Sequence, residues 1–295
     1  MLLGIQLAFR LNDEANGGAI LTLSFSGIAH NQSPNSQNQI HSDEMAQRYG
    51  FKGGLVPGVT LSAYLTQPGV LRWGTEFLNR GFAEIKVVRP VYDTRPFDVA
   101  VTLLDEKTYS AKLIDETGSV RAESRVGLRV QSSELELPKP LGLQQLPDVF
   151  DPPLATPETF RELKAKGCFA TRYRWHAGHA MASYFLDPAS MPSVLRVDTD
   201  VSSAEGYANT SFILGCANWI FAANALMNPW VHLQTTHHNF AAITPETEVL
   251  AEMVVLDLFE RRGHQFADIR VGLFDASSLQ PLAEIEQRAI YQLRS

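Results

Sequence analysis

The same order of sequence signals runs through this chain twice, once on each side of a proline-rich break, and that repetition restricts its possible folds more than composition does. In the first half, ILTLSFSG carries the β-branched and aromatic residues of a strand, MAQRY reads as a short helix and VTLSAYL as a longer one. FAEIKVVRPVY, FDVAVTLLDEKTYSAKLIDETG and SVRAESRVGLRV then supply strands and a hairpin. The second half offers VLRVD as a strand, SFILGCANWIFAANALM as a helix, and WVHLQTTHHNF, VLAEMVVLDLFERRGHQFADIRVGLFD and LAEIEQRAIYQL as strands. Local matches support a duplication at a spacing of roughly 150–160 residues. Gly50-Phe51 followed by Leu55-Val56-Pro57-Gly58 has a counterpart in Gly206-Tyr207 followed by Phe212-Ile213-Leu214-Gly215.

Between the repeats, QSSELELPKPLGLQQLPDVFDPPLATP holds six prolines, at 138, 140, 147, 152, 153 and 157. Each lacks a backbone donor and keeps its predecessor out of the helical region, so the segment reads as an extended linker. The expected division is 1–130, a linker over 131–165, and 166–295. In the second half, Phe212, Cys216, Trp219, Ile220, Ala223 and Met227 recur at spacings of three and four, the pattern of a helix. Its other face is also apolar, so the helix should be buried nearly all round. The long β-rich runs on either side of Arg261-Arg262-Gly263 form an antiparallel pair long enough to curl around it.

Of the 295 residues, 45% are hydrophobic and 19% charged, so a sizeable core can be buried. The 25 basic against 32 acidic residues give a net charge of −7 without a dense basic cluster, which disfavours nucleic-acid and anionic-membrane partners. The opening MLLGIQLAFRLNDE lacks a basic start, and Gln6 and Arg10 interrupt its apolar stretch, so no secretory signal is expected and the default location is cytoplasmic. Cys168 and Cys216 are too few for a disulfide framework or a thiolate zinc site.

The chemistry-bearing stretch is NQIHSDEMAQRYGFKGGLVPG, residues 38–58. With its Asn38, Ile40, His41, Asp43, Gly50, Phe51, Gly53, Gly54 and Gly58, it resembles the motif of the MaoC-like acyl dehydratases and (R)-specific enoyl-CoA hydratases. That motif is a histidine before a short helix ending in Gly-Phe, then a glycine-rich passage into a long helix. With NPWVHLQ and the long hairpin of the second half, nearly the whole chain resembles a double hotdog. The resemblance implies an α+β fold of two long antiparallel sheets, each wrapped around a central helix, with the catalytic motif in the first half. It further implies His41 as general base or acid, assisted by Asn38 and Ser36, and substrate binding by Gly53, Gly54, Val56, Pro57 and Gly58. Ser36 stands where the family carries an aspartate, and Gln39 where it carries proline. A serine cannot stabilise an imidazolium as a carboxylate does.

Each of these residues also has a structural reading. His41 precedes Ser42-Asp43-Glu44, a good helix start, and Asp43 can simply complement the helix dipole. Asparagines such as Asn38 often stabilise turns, and Gly53, Gly54 and Gly58 permit tight ones. A helix starting near Gly58 would present free N–H groups to a thioester oxygen. His176 and His179 lack a convincing third ligand, and the adjacent His237 and His238 should point to opposite faces of a strand, so no metal site is expected. Glu205, ahead of the second helix, is a candidate to replace the missing carboxylate, with a solvent-facing loop as its alternative.

Neither a phosphate-binding loop nor a dinucleotide fingerprint occurs, so no separate cofactor is expected, coenzyme A being part of the substrate. Three functions follow: hydration or dehydration of an acyl-CoA-type thioester, thioester hydrolysis, or noncatalytic binding of an acyl-CoA or small apolar ligand. Monomer and homodimer both remain open.

Overall fold

The computed structural model describes residues 10–12, 20–129, 136–197 and 205–294, so the opening MLLGIQLAF lies outside the described residues. Strands β1 (Arg10–Asn12) and β2 (Ile20–Thr22) pair as a small antiparallel ribbon. After β3 (Phe25–Ile28), a single 3₁₀ turn at Gln39–His41 leads into α1 (Asp43–Arg48), and the chain then enters the long helix α2 (Gly58–Trp73). Helix α3 (Thr75–Arg80) and strands β4 (Gly81–Val87), β5 (Pro96–Leu103), β6 (Thr108–Asp115) and β7 (Val120–Leu128) complete the first half. The second half comprises α4 (Pro157–Lys166), β8 (Thr171–Arg174), α5 (Thr210–Asn224), β9 (Val231–Asn239), β10 (Glu248–Arg261), β11 (His264–Asp275) and β12 (Pro281–Gln292).

The larger strands form one ten-stranded sheet in the order β3-β5-β6-β7-β4-β9-β12-β11-β10-β8. Its neighbouring strands are antiparallel. Each half contributes five strands, and the two expected sheets run into one another where β4 pairs with β9, Phe82 opposite His238 and Lys86 opposite Gln234. Alternation along β5 buries Phe97, Val99 and Val101 and exposes the residues between them, as expected of a half-buried strand. At the β10–β11 turn, Arg262 and Gly263 both have positive φ, 55° and 79°, which a two-residue turn of the sheet's twist requires.

Helix α2 is buried continuously from Val59 to Val70, and α5 over most of its length. The two helices are joined through the Thr66 and Thr210 hydroxyls, 2.9 Å apart. Inside α2, Pro68 lies next to a place where the Tyr109 hydroxyl is inserted in the ladder. It receives the Gly69 N–H at 3.0 Å and donates to the Leu65 carbonyl at 2.9 Å, the kind of insertion that accommodates a helix-interior proline.

Two features depart from a simple duplication. VLRVD, expected as a strand, begins instead within a 3₁₀ turn at Ser193–Leu195, and its Asp198 lies outside the described residues. The segment holding that turn crosses back: Tyr184, Phe185, Met191 and Leu195 pack into the first half's core beside Phe25, Tyr64 and Phe97. The Tyr64 hydroxyl donates to the Tyr184 carbonyl and the Tyr184 hydroxyl to Gln67 Oε1, both at 2.9 Å. Over 141–146 the linker is extended and lies against the second half. The buried Glu252 carboxylate accepts the Leu141 and Leu143 amides, while from Pro157 onward the expected linker is not extended but forms α4 up to its last residue, with Phe160 fully buried.

Candidate active site

His41 closes the 3₁₀ turn ahead of α1, and its surroundings are built by short-range bonds. Ile40, 2% exposed, packs with Ala46 and Leu55, which fixes the turn against the loop that follows α1. The Leu55 amide donates to the Ile40 carbonyl at 3.1 Å, and the Val56 amide to the Val91 carbonyl at 2.9 Å. Asp43 accepts the Gly54 amide at 2.7 Å, a loop-closing role in addition to its place in the first turn of α1. A Cβ on Gly54 would stand 2.3 Å from the His41 carbonyl oxygen, so this glycine is needed for close backbone approach. The buried Asn31 donates to the same His41 carbonyl at 3.0 Å.

The ring of His41 is oriented by its Nδ1, 2.7 Å from the Leu55 carbonyl. A carbonyl only accepts, so Nδ1 carries the hydrogen and the neutral ring has its lone pair on Nε2. No hydrogen bond among the described residues engages Nε2. Burial lowers the His41 pKa, partly opposed by the Leu55 bond, which favours the neutral, basic form at neutral pH.

Three cavities meet at His41. An apolar lobe of about 220 Å³ is walled by Ile40, Phe51, Leu61, Val87 and Leu233. A second lobe of about 270 Å³ lies under Met181, Gly215, Trp219, Ala222 and Met227. The two share Asn38, His41, Pro57, Asn218 and Trp230. A polar vestibule of about 630 Å³ opens on the other side, lined by Gly53, Gly54, Lys52, Arg95, Asp93 and the Asp115–Arg121 ion pair, among others.

The residues expected at the site fall into distinct positions. Ser36 lines the second lobe with His41, but its hydroxyl donates to the Asn38 carbonyl at 2.9 Å. Asn38 is committed across the two halves: its Nδ2 donates to the Trp230 carbonyl at 3.0 Å and its Oδ1 accepts the Trp230 amide at 3.2 Å. Gly53 and Gly54 face the vestibule, while Val56, Pro57 and Gly58 face the apolar lobe. At the start of α2 the Thr60 and Leu61 amides return to the Pro57 carbonyl. The Gly58 and Val59 amides have no acceptor among the described residues. Glu205 is exposed and lines neither lobe; its side chain hydrogen-bonds Tyr207, so it does not stand in for the missing carboxylate. Among the described residues lining the two lobes there is no Asp or Glu.

Two polar lining residues from the second half, Asn218 and His232, were not singled out from the sequence. Asn218 projects from α5 at the junction of the lobes. His232, 8% exposed, packs on Gly58, where a Cβ would come within 2.9 Å of its Cγ. Its Nε2 meets the Thr235 hydroxyl, its Nδ1 has no partner among the described residues, and burial holds its pKa down to about 4, so the ring is neutral. Strict alternation along WVHLQTTHHNF would not turn both His232 and Thr235 inward. A register shift between Arg288 and Ala289 leaves Leu233 without a partner on β12, and this bulge brings His232 to the inner face. His237 and His238 do lie on opposite faces, the first fully buried and the second partly exposed.

No family model matches the sequence, and no curated protein matches it. Solved structures do. A conserved protein of Mycobacterium tuberculosis described as a double hotdog is similar over 93% of this chain and 96% of its own, at 9% identity and a TM-score of 0.56. The dehydratase domain of PpsC from M. tuberculosis, determined with C12:1-CoA, matches over 91% and 93% at 12% identity and 0.51. A candidate thioesterase II from Thermobifida fusca matches over 92% of each chain at 12% identity and 0.50. The shared architecture, with two central helices against one sheet and a strand order that places the two halves edge to edge, is the double hotdog fold.

Proposed function

We propose that this protein is a MaoC-like hydratase or dehydratase of acyl-CoA-type thioesters, with His41 as the group that moves the proton. The observation that carries this reading is the fixed tautomer of His41. With Nδ1–H on the Leu55 carbonyl, the ring offers a basic Nε2 where three cavities meet. The unclaimed Gly58 and Val59 amides at the start of α2 suit the thioester oxygen, whose negative charge grows as a proton moves at C2. The two lobes suit an acyl chain, and Lys52 and Arg95, exposed on the vestibule wall, suit the phosphates of coenzyme A. Hydrolysis through a carboxylate would have to draw on the vestibule, where Asp43, Asp93 and Asp115 lie, because no Asp or Glu lines the lobes among the described residues.

The test is loss of enoyl absorbance with a panel of trans-2-enoyl-CoAs of short, medium and long chain. We expect turnover by the native protein and a loss of about a hundredfold or more in His41→Ala. Turnover that is the same in both proteins, or absent with every chain length, would refute the assignment. Thiol release from saturated acyl-CoAs would point to hydrolysis instead.

A further inference from the structure

The two lobes share three polar side chains: His41, Asn38 and Asn218. The first has its Nδ1 fixed, and the second has both ends of its amide committed to Trp230. Asn218 differs. Its Oδ1 is shut off from solvent and has no hydrogen-bond partner among the described residues. Its neighbours along the helix, Ala217 and Trp219, are apolar, and an apolar residue of the same size would avoid leaving a buried acceptor unpaired. An amide oxygen only accepts, so the ligand that satisfies it must bring a hydrogen. At a junction reached by a basic imidazole, the hydrogen-bearing group that hydration or dehydration must hold is the water entering, or the hydroxyl leaving, at C3.

Resting on the hydratase reading, we propose that Asn218 is a catalytic residue whose amide turns its Oδ1 into the shared junction to accept a hydrogen bond from that water or 3-hydroxyl, in the role that a carboxylate would otherwise fill. In hydration, the water oxygen bonds to C3 and one of its protons passes to His41 Nε2. The C2–C3 double bond becomes single, and the proton is delivered from His41 to C2. The other water hydrogen stays on the new hydroxyl, still directed at Asn218. An amide cannot take the proton, which makes His41 the sole carrier. It also adds no charge beside the imidazole, whereas a carboxylate there would favour the imidazolium and raise its pKa, leaving less of the free base at neutral pH.

Three full-length proteins test this: the native chain, Asn218→Leu and Asn218→Asp. Thermal shifts are compared for matched pairs of 3-hydroxyacyl-CoA and saturated acyl-CoA at several chain lengths, alongside enoyl-CoA turnover. The native protein should be stabilised more by the hydroxy ester than by its saturated partner. Asn218→Leu should keep the saturated-ester shift, lose the preference for the hydroxyl, and lower kcat by about tenfold or more. Asn218→Asp should move the acid limb of the pH profile of kcat/KM upward, because the added charge raises the His41 pKa; an unmoved limb would place Asn218 out of reach of the imidazole and overturn the proposal. A hydroxyl preference lost in Asn218→Leu with no turnover by the native protein would leave Asn218 as a hydroxyl-binding residue and overturn both its catalytic role and the hydratase reading. Native turnover with an unaltered Asn218→Leu would overturn this site alone, and no shift with any ester would overturn both.

Discussion

His237 lies at the centre of the sheet, on β9 between Ala83 of β4 and Ile285 of β12, fully buried and with neither ring nitrogen bonded to a protein group among the described residues. Burial, reinforced by the neighbouring His238, holds its pKa down to about 3. The unfolded chain restores it to about 6.5. As pH falls, the unfolded chain takes up the proton first, so stability is complete above about pH 6.5 and is lost between there and about pH 3. For one such histidine the loss between about pH 8 and about pH 5 is about 2 kcal/mol, and His232, held near 4, contributes a similar amount over the same range. Replacing His237 by leucine removes the titrating group and also the buried unpaired nitrogens, each worth about 1–3 kcal/mol when unsatisfied. Urea unfolding at the two pH values should therefore show His237→Leu at least as stable as the native protein at the higher pH, with a fall on acidification smaller by about 2 kcal/mol. Carboxylates titrate mainly below this window and leave the comparison intact. An equal acid-induced loss in both proteins would refute the reasoning.

Gly54→Ala forces a Cβ to within 2.3 Å of the His41 carbonyl oxygen, a clash with backbone. We expect a stability loss of about 1–3 kcal/mol in chemical denaturation and a fall in any His41-dependent activity; native values of both would show that the loop shifts freely. Asn38→Ala removes both bonds to the Trp230 backbone, so unfolding free energy should drop by about 2 kcal/mol and KM should rise as the shared lobe wall loosens. An unchanged melting curve would mean that this tie contributes nothing.

The local chemistry around His41 was legible because it is made by residues close in sequence: Ile40, Asp43, Gly54 and Leu55 find each other within one loop and one short helix. The second central helix was legible from its apolar spacing, although it ends at Asn224, ahead of the expected Met227, and the β10–β11 turn was legible from Arg262-Gly263. The second half's contribution to the site was harder to read. His232 turns inward only because of the bulge at Leu233, and a bulge has no alternation of its own to read. Asn218 sits in an almost wholly apolar helix, where its importance comes from the cavity it meets rather than from a motif. Tyr184, Phe185 and Met191 lie in a stretch without regular periodicity, so nothing local reveals that they complete the other half's core. Strand β8 is only four residues long and is specified by pairing with β10.

That crossing segment has a consequence for the order in which the protein is made. When the ribosome has released β7, the first half holds its five strands of the large sheet and its central helix, yet the positions filled by Tyr184, Phe185, Met191 and Leu195 are still empty. At ordinary elongation rates the missing side chains arrive roughly three to thirteen seconds later. During that interval Phe25, Tyr64 and Phe97 face a gap, and the edge of β4 that will pair with β9 has no partner. Despite a duplicated plan, the halves are therefore not a pair of sequentially finished products: the first is sealed only by residues encoded within the second.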